Sequence, residues 1–368
     1  GLDPHTSSRQ LIIADNEAYG NRTHGIIISQ DVVHTEIVNN RSHHNGVNGI
    51  MVDESLDNTV VNNEAWANTE DGIVVHESPR TLVRDNDVGY NRVGVRISGQ
   101  SVGSHFEDNR LLGNRRGIEI ADVSQASIPG SEPVTVEHNR IHGYHADGIV
   151  VKGVFGLRLT GNSVAGSRNA ISINGPSRRV TIERNDLRNM RRGVVIQATA
   201  REVSTMGNVI SGASEDGMVL AGSQITSTGD SVADSGDGVH VRGAATLRDV
   251  RVTGSRRGIA VTGGPVTIAG ADIVVREVGL SAKRQHQPVM SGMRVQAHRP
   301  FSGIRREHIR RDVASRTRRA PPPEVPWLAV AGLAFLGTAF LLHTAHRVRV
   351  PACHARLATP PPGVRNAA

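Results

Sequence analysis

The start of the chain carries the residues best suited to chemistry. Gly1-Leu2-Asp3-Pro4-His5 sets an imidazole directly behind a proline, which fixes its own φ and holds Asp3 in extended backbone, so His5 is presented from a stiff turn. An imidazole with an unperturbed pKa of ~6.5 can take and return a proton near neutrality. Arg22, His24, Gln30, His34, Arg41, His43, His44 and Asp53 follow. Cations and hydrogen-bond donors beside such a base hold the negative charge that proton abstraction leaves behind. Each residue also has a plain structural reading: His5 as a surface turn histidine, Asp3 as a turn cap, Arg41 as the partner of a carboxylate on the same scaffold. His43 and His44, as neighbours on a strand, would point to opposite faces and make a poor metal pair. His138, His142 and His145 fall in an ordinary repeat and read as exposed turn residues. No metal or cofactor is expected.

What must position these residues is a repeat. An Asn or Asp is followed eight or nine positions later by Gly and then Ile, Val or Met, and the unit returns about every 23 residues: Asn16 with Gly25-Ile26, Asn40 with Gly49-Ile50, Asn63 with Gly72-Ile73. It continues through Asn86, Asn109, Asn139, Asn162 (followed by Ala170-Ile171), Asn185 and Asn208 to Asp230 and Asp249. Short runs of alternating apolar residues, such as Val134-Thr135-Val136 and Val180-Thr181-Ile182, flank each turn and predict half-buried strands. Asn, Asp and Gly suit the turns because they tolerate left-handed backbone. The pattern predicts an all-β parallel β-helix solenoid of about 11–12 coils, with Ile and Val stacked inside and the turn Asn forming an inward ladder that satisfies backbone groups. The low aromatic content of 3% fits a narrow interior. Between Gly117 and Gly148 the repeat lengthens, and Asp122 to Pro133 reads as a bulging loop.

Length and charge divide the chain. Fifteen of the 42 Lys and Arg lie from Lys283 onwards, against only Glu307, Asp312 and Glu324 among the 35 Asp and Glu. The net charge of +7 is therefore +12 in that tail and −5 before it, which disfavours nucleic-acid binding by the solenoid. The expected organisation is a β-helix over 1–282 and a basic, Pro-containing juxtamembrane linker over 283–324. A transmembrane helix follows at 325–345 and a short basic tail at 346–368. The helix rests on the apolar run Val325 to Ala345, edged by Trp327 and by His346-Arg347-Val348-Arg349. Because Gly1 begins in mid-coil, a leader upstream would place the β-helix outside the cell, tethered as a single-pass monomer. The single cysteine, Cys353, leaves the rod without disulfides.

Leu2-Asp3-Pro4-His5, Leu11-Ile12-Ile13-Ala14-Asp15-Asn16-Glu17, His24-Gly25-Ile26-Ile27, Asn40-Arg41-Ser42 and Asp71-Gly72-Ile73 resemble the bacterial mannuronan C-5-epimerases, over roughly Leu2 to Ser98. The resemblance implies a right-handed β-helix acting on an acidic polysaccharide: removal of the proton on carbon 5 of a uronate and its return on the other face. It implies His5 as the base, with Asp3 orienting it or binding sugar. Two positions depart from the family's pattern. Thr6 stands where an acidic residue follows Asp-Pro-His, and Gln30 stands where an Arg neutralises the substrate carboxylate. Losing a charged partner of that kind costs about 2–4 kcal/mol, or 10²–10³ in rate. Arg22 and Arg41 are then the cations left to face the carboxylate, with Gln30 and His24 completing the candidate binding set. A lyase shares the same first step; a non-catalytic glycan-binding module and a structural stalk are the competing classes.

Overall fold

The computed structural model describes residues 1–124, 132–143 and 146–318. Its strands lie in three parallel sheets of 13, 14 and 13 strands, and neighbours within each sheet are three strands apart in the chain except for the last pair of the second sheet. Each coil therefore gives one strand to every sheet, and the chain winds through about 13 turns. The first sheet begins at Ile12–Ala14, the second at Glu17–Tyr19 and the third at Ile26–Ser29.

The Gly-Ile signature lies where the chain enters the third sheet. Ile26, Ile50, Ile73, Val95 and Ile118 stand in register, one above another, and are buried. The preceding glycine is a packing requirement. A Cβ on Gly72 would come within 2.3 Å of Val88 Cγ1, from the facing second sheet, and 2.8 Å of the Gly94 carbonyl in the next coil. At Gly72 the missing side chain lets the sheets meet this closely, although the equivalent position after Asn162 holds a buried Ala170.

The repeat Asn occupies the corner between the first and second sheets. Oδ1 of Asn63 accepts from the backbone N–H of Asn40 at 2.8 Å and from its Nδ2 at 3.0 Å. Nδ2 of Asn63 in turn donates to the carbonyls of Ile37 and Val61 and to Oδ1 of Asn86. The same exchange runs from Asn16 to Asn208 and ends on Asp230, whose carboxylate accepts from Asn208, Thr205 and Ser227. A second ladder, Asn21 to Asn114, fills the corner between the second and third sheets. Corner backbone groups that no strand can pair are thus satisfied from inside.

Two expectations are corrected. The coils do not stop at residue 282: Val289–Ser291, Arg294–Ala297, Arg299–Ser302 and Ala314–Thr317 add strands in the stretch read as a linker. The Asn and Gly signature fades there, but Met290, Met293, Val295 and Ala297 keep the interior filled. Among the described residues the fold is also an all-β solenoid with no membrane-spanning helix. No described helix is long and apolar enough to cross a membrane, and the one helical element among the described residues is a single 3₁₀ turn at Arg306–His308. Residues 325–345, on which that expectation fell, lie outside the described residues, as do 319–324, the tail 346–368 and most of the loop between Asp122 and Pro133.

Replacing Asn109, midway along the first ladder, by Ala removes the acceptor for both nitrogens of Asn86 and the donor to the Val83 carbonyl. Stranding buried polar groups costs about 1–3 kcal/mol each. Asn109→Ala should lower stability by about 2–4 kcal/mol in urea denaturation followed by circular dichroism. A loss below ~1 kcal/mol would mean that water replaces the amide.

Candidate functional site

His5 does not lie in a strand, but an isolated parallel bridge sets it beside Ser29. This extends an outward-facing row of the third sheet, which reads His5, Ser29, Asp53, His76, Ser98 from coil to coil. Leu2 bridges Ile26 in the same way, so Asp3 falls level with Ile27 between the His5 row and His24. Asp3, His5, His24, Asp53 and His76 are therefore gathered on one outer face. The third sheet provides this because its outward positions alternate with the buried Ile and Val positions.

The turn after His5 is built from left-handed residues, Thr6 at φ 57° and Ser7 at φ 56°, and stacks on the equivalent turn at Gln30 (φ 64°) and Asp31 (φ 60°). Stacking brings the two departures from the epimerase pattern together. The Thr6 hydroxyl donates to Gln30 Oε1 at 3.0 Å, and its oxygen lies 2.8 Å from His5 Nδ1. With the hydroxyl proton committed to Gln30, Nδ1 must be the donor to Thr6, which leaves Nε2 of a neutral His5 as the free acceptor.

His24 and Asp53 supply the unusual electrostatics. His24 Nδ1 and Asp53 Oδ1 are buried and have no hydrogen-bond partner. Burial holds the His24 imidazole below its ordinary value, against the opposing pull of the Asp3 and Asp53 carboxylates. Burial also pushes the Asp53 carboxyl up, opposed by His76, reinforced by Glu77 and opposed by His24. Unpartnered buried polar atoms on an open face are groups waiting for a ligand or a proton. His76 Nδ1 is held 2.9 Å from Ser98 Oγ.

The remaining candidates separate. Arg22 is exposed in the turn two residues before His24 and forms no ion pair among the described residues. Arg41 is on the second sheet, where its guanidinium lies 3.7 Å from Glu64, so the structural reading of this residue holds and it does not reach the His5 face. Two coils beyond Asp53, Arg96 is clamped between Asp71 and Glu119. Burial works against its charge, but the two carboxylates outweigh it and raise its pKa. His43 and His44 do not split across a strand. His44 turns the corner at φ 53°, and its Nδ1 meets His43 Nδ1 at 2.8 Å. Sequence reasoning missed His76, although its spacing of one repeat from Asp53 was the signal.

Residues 5–127 match the family model described as periplasmic copper-binding protein (NosD), and residues 125–273 match that of the right handed beta helix region. The chain is a right-handed parallel β-helix protein. Within that class it is similar to mannuronan C5-epimerases. Identity is 46% over 56 residues with that of Pseudomonas syringae pv. tomato, covering 15% of this chain and 10% of the relative. It is 43% over 61 residues with that of Pseudomonas putida, covering 16% and 12%. The matched stretches thus span about a tenth of the length of those epimerases. Among solved structures, the siphovirus 9NA tailspike receptor binding domain aligns with a TM-score of 0.53 at 9% identity, covering 87% of this chain and 71% of that one. This likeness is one of fold. Among the described residues no three His, Cys, Asp or Glu are grouped to hold a metal ion.

The lowered His24 value has a consequence for stability. Between that value and the ~6.5 of a free imidazole, the unfolded chain binds more protons than the folded one, so stability falls as pH drops through this window. Asp53 works in the opposite sense at lower pH, where its raised value lets the folded state keep the proton better. His24→Gln should flatten the decline in melting temperature from about pH 7 to about pH 5. A slope equal to that of the unaltered protein would show that His24 is not held neutral by burial.

Proposed function

We propose that the outer face of the third sheet, over the first four coils, binds an acidic polysaccharide and exchanges the proton on carbon 5 of a uronate unit, as an epimerase does. The observation that carries this reading is the pair of buried, unpartnered atoms, His24 Nδ1 and Asp53 Oδ1, beside a His5 whose tautomer is fixed. The local similarity to mannuronan C5-epimerases supports the substrate class.

In this mechanism the sugar lies along the row from His5 to Asp53. These residues are two coils apart, about 10 Å along the rod, with only the small Ser29 between them, so one pyranose ring fits between base and acid. His5 Nε2 takes the carbon-5 proton, and the electron pair of the broken C–H bond moves into the adjacent carboxylate as an enediolate. Arg22, in the turn before His24, is the cation we assign to that developing charge. The Asp53 carboxyl, pushed towards its protonated form, returns a proton from the other side. The two carboxyl-bearing groups Asp3 and Asp53 differ in setting: Asp3 is exposed and Asp53 is half-buried. That difference separates a binding carboxylate from a proton donor.

A second reading, glycan binding without turnover, is favoured by one observation. At Gln30 a neutral amide engages Thr6, so no cation stands where the epimerase pattern has its Arg.

Incubation of polymannuronate with the protein in deuterated water, followed by NMR, separates these readings. Deuterium should enter carbon 5 without chain cleavage. His5→Ala should reduce uptake by about 10²-fold or more, and Thr6→Val by up to about tenfold through loss of one orienting hydrogen bond. Growth of an unsaturated-uronate absorbance would make the protein a lyase. Binding with no isotope uptake would establish the second reading, and uptake that survives His5→Ala would sink the assignment of the base.

A further inference from the structure

A different sheet carries a second feature that the epimerase-like reading does not use. The Tyr and Trp side chains among the described residues are Tyr19, Trp66 and Tyr90, and all of them sit on the outside of the second sheet or in the turn leaving it, in coils one, three and four. The second coil contributes His43 in the same row. Strand register aligns Tyr19, His43, Trp66, Gly89 and Leu112. The first three are stacked: Tyr19 on His43 with centroids 5.4 Å apart, and His43 on Trp66 at 4.2 Å. At Gly89 the row loses its side chain. One face of the Trp66 indole is covered by His43, and the other opens over Gly89 towards Leu112.

The gap is a slot of about 240 Å³, walled by Trp66, Tyr90 and Leu112 and rimmed by Glu64, Asp87 and Arg110. Trp66 and Leu112 are two coils apart, so about 10 Å of rod separates them, which leaves room for one ring laid against the indole. The slot is below the roughly 300–1,000 Å³ of pockets that enclose drug-sized ligands, which also fits a single ring. Tyr90 is 67% exposed and stands over Gly113, where a Cβ would come within 2.8 Å of its ring. The glycine gives the tyrosine its place at the side of the slot. An interior ladder needs neither an empty position nor an exposed aromatic wall.

We propose that this slot binds one neutral hexopyranose unit of a polysaccharide. The apolar C–H face of the sugar lies on the electron-rich face of Trp66, and its hydroxyls donate to the carboxylates of Glu64 and Asp87. Charge selects against a uronate here. Arg110 is bound to Asp87 at 2.6 Å and Arg41 lies 3.7 Å from Glu64, so both arginines are neutralised, while Asp108 adds further negative charge alongside. The site stands independently of the third-sheet reading, since it shares no residue with it.

The test uses the full chain and matched β-1,4-linked probes. Mannohexaose and hexamannuronate share a backbone and differ at carbon 6, a hydroxymethyl in one and a carboxylate in the other; cellohexaose is a second neutral probe. Titration calorimetry should show a neutral hexamer bound, with affinity falling about tenfold or more in Trp66→Ala and several-fold in Tyr90→Ala, and unchanged in His5→Ala. Tyr90 is largely exposed, so its variant keeps the fold, which circular dichroism verifies. The proposal is overturned if neither neutral hexamer binds, if the folded Tyr90→Ala and Trp66→Ala proteins bind as well as the parent, or if hexamannuronate competes equally at this site. Deuterium uptake into polymannuronate is a separate readout, so loss of one proposal leaves the other intact.

Discussion

The hydrogen bond from each corner Asn to the Asn of the next coil is the interaction on which the rest of this molecule depends. A parallel solenoid has no hairpins to set its register, and a slip of one residue would turn every interior side chain outwards. The amide oxygen of Asn63 accepts from both the backbone and the side chain of Asn40, so it fits at one register only. Fixing the register fixes which residues meet on the outside. The row from His5 to Asp53, and the stack from Tyr19 to Trp66, both exist because equivalent positions of successive coils are held one above another.

Much of this was legible in the sequence, because a repeat converts spacing into proximity. The turn Asn, the Gly before each interior Ile and the outward polar positions could all be read from the chain with no coordinates. The reading failed where the signature and the physics part company. Past residue 282 the spaced Asn…Gly-Ile signature stops, yet Met290, Met293 and Val295 still fill the interior, so the winding continues without its written label. Arg41 lies next to family-like residues in the chain but belongs to the second sheet, and linear proximity to Asn40 said nothing about which face it takes.

The candidate site shows a subtler limit. Thr6 and Gln30 each read as the loss of a charged group. Their contact depends on two left-handed turns stacking, which no side-chain pattern announces. Between coils, opposite charges one repeat apart pair on the surface, as Arg80 does with Asp57 and Arg110 with Asp87. Exposed pairs of this kind contribute little stability each, but they neutralise the arginines that take part. Arg22 is one of several guanidiniums among the described residues that stand outside such pairing.

The corner ladder also has a direction. Every Asn presents its oxygen to the preceding coil and its amide nitrogen to the following one, so the side-chain dipoles from Asn40 to Asn208 align head to tail along the rod. Their partial positive end points towards the later coils, and there the row meets the carboxylate of Asp230 in place of another amide. The arrangement follows the electrostatic logic of an anion at the N-terminus of an α-helix, carried out by side chains instead of peptides. An Asn at position 230 would continue the row, whereas the Asp closes it with a charge of opposite sign.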